Sequence, residues 1–153
     1  MRNDEGSNPR GSQGPIIRIL VVDDFEAWRR YVCSLLQKHG QYDVIGEVAD
    51  GLEAVHKAQE LQPDVILLDI NLPSLNGIQA ARRIRECAPK AKILFVSENT
   101  SEDIAEEALH TGAQGYMVKE DARRELLIAI ATILRGEKFL GRRFSTSRDS
   151  DIP

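Results

Sequence analysis

The sequence predicts an α/β fold in which a parallel β-sheet is covered by helices on both faces. Five short apolar runs, rich in β-branched residues, are spaced along the chain, and a stretch with helical periodicity follows each of them. The links between these segments are short. Strands that alternate with helices form parallel sheets, because each helix carries the chain back across one face of the sheet.

The five strands are predicted from apolar runs that are bounded by polar or glycine residues. Runs of this kind are typical of strands that are buried on both sides. In chain order they cover residues 17–22, 42–48, 64–69, 92–96 and 114–118.

The five helices are predicted from apolar residues at helical spacing and from the residues that begin or end them. Gly40 ends the first helix, Gln62-Pro63 the second and Gly112 the fourth, and Asp121 is the candidate N-cap of the fifth. The predicted helices cover residues 25–39, 52–61, 78–87, 101–111 and 121–135.

Both ends of the chain are polar. Residues 1–15 contain almost nothing to bury and are predicted to form a flexible leader, and residues 137–153 are predicted to form a polar flexible tail. Residues 16–136 would then fold as a single domain, which is the organisation expected for a chain of 153 residues.

Composition and charge exclude several classes of function. The net charge of −4 excludes broad electrostatic capture of nucleic acid, and the aromatic content of 5% disfavours a base-stacking surface. No apolar run approaches the roughly 20 residues that are needed to span a bilayer. We therefore expect a cytoplasmic protein with no direct nucleic-acid partner and no membrane partner.

Polar side chains lie at the ends of four predicted strands. Asp23 and Asp24 follow the first strand, Asp69 ends the third, Ser97 follows the fourth and Lys119 follows the fifth. One of these residues alone would more often be a helix cap or a surface residue, but the ends of parallel strands meet at one edge of a sheet. Three carboxylates gathered there repel one another and require a cation, and Mg²⁺ suits oxygen ligands that leave room for phosphate.

The residues at this edge resemble the receiver domains of two-component response regulators. Asp23-Asp24 followed by Arg29-Arg30 resembles the acidic pair and first helix of that family. The segment DINLPSLNG, which begins at Asp69, resembles its phosphoacceptor strand and D-x-x-[ML]-P-x-[ML]-x-G loop.

The second half of the chain continues the resemblance. Ser97 stands where the family has serine or threonine, and the segment GYMVK, which ends at Lys119, matches its strand with an aromatic residue and a lysine. The resemblance covers residues 17–134. It implies a flavodoxin-like, CheY-like sheet of five strands in the order 2-1-3-4-5, with five helices on its two faces.

The resemblance implies a role for each polar residue at the sheet edge. Asp69 would be the nucleophile that takes a phosphoryl group from a phosphohistidine of a sensor histidine kinase or phosphotransfer protein. Lys119 would pair with one phosphoryl oxygen, and Ser97 would hydrogen-bond another. Tyr116 would rotate inward as Ser97 is drawn toward the phosphate, and the face built from residues 101–135 would change its affinity for an output protein.

The resemblance also implies the ligands of a magnesium ion. Asp24 and Asp69 would bind Mg²⁺ directly, Asp23 would help through a water molecule, and Asn71 would offer its backbone carbonyl. On this interpretation the protein is not an enzyme that acts on other molecules, because it catalyses only its own phosphorylation and dephosphorylation.

Two positions depart from the common family pattern. Glu120 stands where many receivers have a proline in a cis peptide, a departure that is frequent in receivers of the NarL/LuxR type, which continue into a DNA-binding domain. Glu98 stands where the family usually has a small residue. We hypothesise that Glu98 repels incoming phosphate or attacking water, so that phosphorylation and dephosphorylation are both slow, whereas the neighbouring Asn99 could instead orient that water.

Several alternatives remain open on the sequence alone. A pseudo-receiver that is never phosphorylated would act as a docking module, and a remnant of a DNA-binding transcriptional regulator would keep the switch but use another partner. A dehalogenase-type phosphatase is disfavoured because it needs a second aspartate where Asn71 stands. A toprim-like nuclease is disfavoured because it needs a glutamate after the first strand and its aspartate pair later in the chain. A phosphorylation-dependent homodimer could form between the acidic fourth helix and Arg123-Arg124, although both could equally be solvated faces.

Overall fold

A six-stranded parallel sheet forms the centre of the structure, a computed structural model that describes residues 14–144. The strands are β1 (Ile17–Val22), β2 (Tyr42–Val48), β3 (Val65–Leu68), β4 (Lys92–Ser97), β5 (Gly115–Val118) and β6 (Phe139–Leu140). Their order is β2-β1-β3-β4-β5-β6, and every neighbouring pair is parallel. The predicted order of the first five strands is confirmed.

Five α-helices connect the strands, close to the predicted positions. They are α1 (Glu26–Gln37), α2 (Gly51–Leu61), α3 (Gly77–Cys87), α4 (Glu102–Leu109) and α5 (Ala122–Leu134). None of the helices within residues 14–144 is both long and apolar enough to cross a bilayer.

The start of α5 differs from the prediction. A 3₁₀ turn, Lys119–Asp121, leads directly into the helix. Asp121 stands at the N-cap position, but its side chain makes no capping hydrogen bond. It accepts instead from Arg143 Nε at 2.9 Å. The predicted N-cap position is thus confirmed, but the Asp121 side chain accepts no capping hydrogen bond.

Alternate residues of each strand pack on opposite faces of the sheet, because side chains alternate along a β-strand. In β1, Leu20 and Val22 join the apolar cluster that contains residues of α2, α3 and α4, whereas Ile19 and Val21 join the cluster that contains residues of α1 and α5. The sheet is therefore buried on both faces, as the continuous apolar runs predicted.

The sixth strand is a difference from the predicted five-stranded sheet. Phe139 lies opposite Gly115 and Leu140 lies opposite Tyr116, so β6 extends the sheet beyond β5. Residues 137–144, predicted as the start of the polar tail, are thus folded against the sheet. Two apolar residues among polar ones and glycines carry too little periodicity to predict a strand. The rest of the predicted tail, 145–153, and residues 1–13 of the predicted leader lie outside the described residues.

Candidate functional site

The C-terminal edge of the sheet brings together the charged side chains that were predicted to meet there. Ligand oxygens of Asp23, Asp24 and Asp69 all lie within 4.8 Å of one another. Lys119 Nζ lies 2.6 Å from Asp23 Oδ2 and 3.4 Å from Asp69 Oδ2. These four side chains come from the ends of three strands, β1, β3 and β5, and form one cluster.

Burial divides the three carboxylates into two kinds. Asp23 and Asp69 are buried, with 1% and 6% of their surfaces exposed, whereas Asp24 is exposed. The cluster is therefore reached from solvent on the side of Asp24. Because one lysine faces two buried carboxylates, the site retains negative charge that a further cation would offset.

One oxygen of each buried carboxylate is held by the backbone. Asp23 Oδ1 accepts a hydrogen bond from the N–H of Phe25 at 2.9 Å, and Asp69 Oδ1 accepts one from the N–H of Ile70 at 2.7 Å. The second oxygens face Lys119. Lys119 forms a close ion pair with Asp23 Oδ2.

The pKa of Asp69 is shifted by burial and by the charged groups around it. Burial and the charge of Asp23 raise the pKa of Asp69 to about 6, although Lys119 and the N–H of Ile70 act in the opposite direction. For Lys119, burial lowers the pKa, but hydrogen bonding and the charges of Asp23 and Asp69 outweigh it, so the pKa is raised. At neutral pH the Asp69 carboxylate form therefore predominates beside an ammonium group.

The loop between β3 and α3 fixes the backbone around Asp69. A Cβ atom on Gly77 would lie 2.0 Å from the Asp69 carbonyl oxygen, so only glycine permits this close approach. The N–H of Gly77 donates to the Ile70 carbonyl at 2.7 Å, and a capping box between Asn76 and Gln79 begins α3. The exposed Asn71 lies in this loop, two residues beyond Asp69.

Ser97 and Tyr116 are joined through the backbone of Asn99. Ser97 Oγ accepts from the N–H of Asn99 at 3.0 Å, and the Tyr116 hydroxyl donates to the Asn99 carbonyl at 2.9 Å. Both side chains are fully buried, and burial raises the pKa of Tyr116. The tyrosine ring thus lies inward, and its rotation on phosphorylation stays a prediction.

A cleft of about 320 Å³ lies beside Lys119. The exposed residues Phe25 and Glu98 contribute to its walls, and so does Trp28, whose ring centroid lies 5.2 Å from Lys119 Nζ. The full lining is Phe25, Trp28, Glu98, Val118, Lys119 and Glu120.

The contact of Trp28 with the lysine was not predicted from the sequence. A cation over the face of an indole is attracted by the negative charge of the ring face. Because α1 begins directly after the acidic pair, the sequence indicates that its first turn lies near the site, but it does not specify which side chain of that turn contacts the lysine.

The donor set of the cluster fits a hard divalent cation. The three aspartates offer oxygen ligands only, and one of them is exposed, so a bound ion could keep water molecules. Mg²⁺ prefers this combination of one or more carboxylates with retained water.

Comparison with known proteins shows the family to which the fold belongs. Residues 19–131 match the family model of the response regulator receiver domain. The chain belongs to this family. Relatives of this receiver include the transcriptional regulatory protein LnrK of Bacillus subtilis, 35% identical over 121 residues, which are 79% of the chain and 55% of LnrK. The response regulator GacA of Pseudomonas viridiflava is 32% identical over 82% of the chain and 58% of its own length.

Solved receiver structures are similar over most of this chain. A two-component response regulator of the LuxR family from Aurantimonas sp. SI85-9A1 has a TM-score of 0.82 at 33% identity, covering 86% of this chain and 94% of that one. The signal receiver domain of NarL from Mycobacterium tuberculosis has a TM-score of 0.77 at 31% identity, covering 81% and 100% of the two chains. By contrast, the receiver spans little more than half the length of the curated relatives it matches.

Proposed function

We propose that this receiver is the phosphoacceptor switch of a two-component phosphorelay. Asp69 would accept a phosphoryl group from a phosphohistidine of a sensor histidine kinase or phosphotransfer protein, in a reaction that depends on Mg²⁺. The observation that supports this most directly is the buried Asp69 carboxylate, whose Oδ2 lies 3.4 Å from Lys119 Nζ at a sheet edge with an exposed neighbouring carboxylate, Asp24.

The chemistry that we propose for the chain is a single displacement. A carboxylate oxygen of Asp69 forms a bond to phosphorus while the bond from phosphorus to the donor imidazole nitrogen breaks, and that nitrogen keeps the electron pair and takes a proton from solvent. The Lys119 ammonium pairs with an oxygen of the transferred group, and the Ser97 hydroxyl donates to another.

The metal would be held by the acidic cluster. Asp24 and Asp69 would be its direct ligands, together with the backbone carbonyl of Asn71, and Asp23 would act through a water molecule. When bound, Mg²⁺ offsets the negative charge of the phosphoryl group and of the carboxylates.

The output would be a change in binding at the face of residues 101–135. A phosphorylated aspartate carries roughly one more negative charge at neutral pH than a carboxylate, and its oxygens recruit Ser97 and Lys119. Tyr116 is tied to Ser97 through Asn99, so this face responds, and its affinity for a protein partner changes. We propose that the receiver acts in the cytoplasm and that the only reactions it catalyses are its own phosphorylation and dephosphorylation.

The test is the intact mass of the protein after incubation with acetyl phosphate, with and without Mg²⁺. We expect one added phosphoryl group on the wild type that requires Mg²⁺ and is absent from Asp69→Asn. Asp103→Asn, which changes an exposed aspartate on α4, is the matched control and should be phosphorylated like the wild type.

Two results would contradict the proposal. Addition to Asp69→Asn at the wild-type level would mean that another residue is the acceptor. No addition to the wild type, together with no binding of Mg²⁺, would favour a pseudo-receiver that acts as a docking module.

A further inference from the structure

Residues 139–144, which we call the clasp, lie along the edge of β5. The N–H of Phe139 donates to the Gln114 carbonyl at 2.9 Å, and the N–H of Gly141 donates to the Tyr116 carbonyl at 2.8 Å. The clasp therefore occupies the backbone groups that β5 would otherwise present at an open sheet edge.

Acidic side chains at and before the start of α5 hold the other half of the clasp. Glu125 Oε2 accepts from the N–H of Arg142 at 3.0 Å. The Arg143 guanidinium donates to Asp121 at 2.9 Å and to Glu120 at 2.7 Å. Asp121 and Glu120 belong to the 3₁₀ turn that begins with the lysine of the site, so the clasp is anchored directly beside that lysine.

The last described residue of the clasp contacts the tyrosine proposed as the switch. The rings of Phe144 and Tyr116 meet edge to face, with centroids 5.3 Å apart and planes at 86°. Both are buried, with 3% and 0% of their surfaces exposed. Edge-to-face pairs of this kind are attractive, so Phe144 favours the inward position of the Tyr116 ring.

The inward tyrosine is linked in turn to the proposed phosphoryl site. Its hydroxyl donates to the Asn99 carbonyl at 2.9 Å, and the N–H of Asn99 donates to Ser97 Oγ at 3.0 Å. A phosphoryl oxygen that accepts a hydrogen bond from Ser97 would act on the same short segment, 97–99, that the tyrosine holds. Both the phosphoryl group and the clasp can therefore influence the position of the Tyr116 ring.

We infer that the clasp is an intramolecular regulator of the site, and that its docking and the phosphorylation of Asp69 strengthen each other. This inference rests on the proposed function. Phe144 acts as a positioning residue, because it touches Tyr116 and not the reacting atoms. Coupling between two sites is reciprocal in binding free energy, so a clasp that favours the inward tyrosine tightens the binding of a phosphoryl group or its mimic at the site, and the bound group tightens the clasp.

The experiment uses the whole chain and three variants. Phe144→Ala removes the ring contact, and Arg143→Ala loosens the clasp without removing buried volume. Arg135→Ala is the matched control, because it breaks an exposed ion pair with Glu137 that lies outside the clasp. Circular dichroism first establishes that each variant is folded.

Two measurements are made on each protein. The first is the dissociation constant for beryllium fluoride in the presence of Mg²⁺. The second is hydrogen exchange at the amides of Phe139 and Gly141, with and without beryllium fluoride and Mg²⁺ as a stable mimic of the phosphoryl group.

We expect the mimic to slow exchange at both amides in the wild type. Phe144→Ala should bind beryllium fluoride about 5-fold more weakly than the wild type, at the lower end of usual coupling between sites, and Arg143→Ala should bind it more weakly to a smaller extent. Arg135→Ala should match the wild type in both measurements.

The outcomes separate the clasp from the function on which it rests. A wild type that is phosphorylated on Asp69, with an equal dissociation constant for beryllium fluoride in Phe144→Ala and no change in amide exchange, would overturn only the inferred role of the clasp. A wild type that takes up no phosphoryl group would overturn the proposed function and, with it, the inferred regulatory role of the clasp.

Discussion

Glu98 places an exposed carboxylate in the wall of the cleft beside Lys119. We predict that Glu98→Ala increases the rate of phosphorylation by about 5-fold, because one unit charge a few ångströms from an anionic phosphodonor in water is worth about 1 kcal/mol, and that it also increases the rate of dephosphorylation. The measurement is phosphoryl addition from acetyl phosphate, followed by its loss after the donor is removed.

Glu98→Gln distinguishes charge from size. If repulsion is the cause, the glutamine variant should behave like the alanine variant, whereas a steric effect would leave it like the wild type. Glu102→Ala, an exposed residue of α4 that does not line this cleft, should leave both rates unchanged. Equal rates of phosphorylation and dephosphorylation in Glu98→Ala and the wild type would contradict the hypothesis that Glu98 slows both reactions.

At the level of single residues, the sequence could predict charges at strand ends but not the contacts between helices and those ends. Asp23, Asp69 and Lys119 could be predicted to meet because each follows a parallel strand directly. The contact of Trp28 with Lys119 depends on the angle at which α1 crosses the sheet, which periodicity does not specify. The same holds for the ring of Phe144 on Tyr116.

The start of α3 is the element on which the position of Asp69 depends most. We predict that Gly77→Ala lowers the free energy of unfolding by about 1–3 kcal/mol, the usual cost of forcing an extra methyl group into a packed site. The added Cβ would clash with the backbone carbonyl of Asp69. This carbonyl cannot move away without also moving the Asp69 side chain, the proposed nucleophile. Phosphoryl addition should therefore fall as well, and urea unfolding gives the stability change.

Gly46→Ala is the control for adding a methyl group elsewhere in the sheet. Its Cβ would meet only the ends of two flexible side chains, Leu20 at 3.1 Å and Leu61 at 3.4 Å. We expect a smaller loss of stability and normal phosphorylation. An equal loss of phosphorylation in both variants would mean that the β3–α3 loop has no special role.

Elements with a long apolar pattern were predicted well, and short ones were not. All five predicted strands and helices occur, because each repeats its spacing several times. β6 has two residues, and its stability comes from pairing with β5, a tertiary contact that the local sequence does not encode. Likewise, the Asp121 carboxylate accepts a hydrogen bond from Arg143, which is distant in the sequence, and does not cap α5 with its side chain.

The stability of the whole molecule should depend on the ionisation of Glu125. Burial and the charge of Asp121 raise the pKa of this buried residue above its ordinary 4.5, although Arg124 and Arg143 act in the opposite direction. The folded state thus binds the proton more tightly than the unfolded state does. The tighter proton binding by Glu125 adds to the free energy of unfolding below the ordinary pKa, and this contribution is lost as the pH rises through the raised pKa.

We predict that the free energy of unfolding of the wild type, relative to Glu125→Gln, falls as the pH is raised from about 4 to about 7. Urea unfolding at several pH values measures the difference. Glu137→Gln, which changes an exposed glutamate, should run parallel to the wild type. A constant difference between wild type and Glu125→Gln would show that folding does not perturb this carboxyl group.

The indole of Trp28 has a consequence for how this protein can be studied. It is the single tryptophan of the chain, and its ring lies 5.2 Å from the ammonium group that is expected to change partners. Indole emission responds to nearby charge, so the tryptophan fluorescence of the unlabelled protein reports on changes of charge around Lys119. Stopped-flow mixing with Mg²⁺ or a phosphodonor can therefore follow the change of charge at this site over time, with no dye and no added reporter.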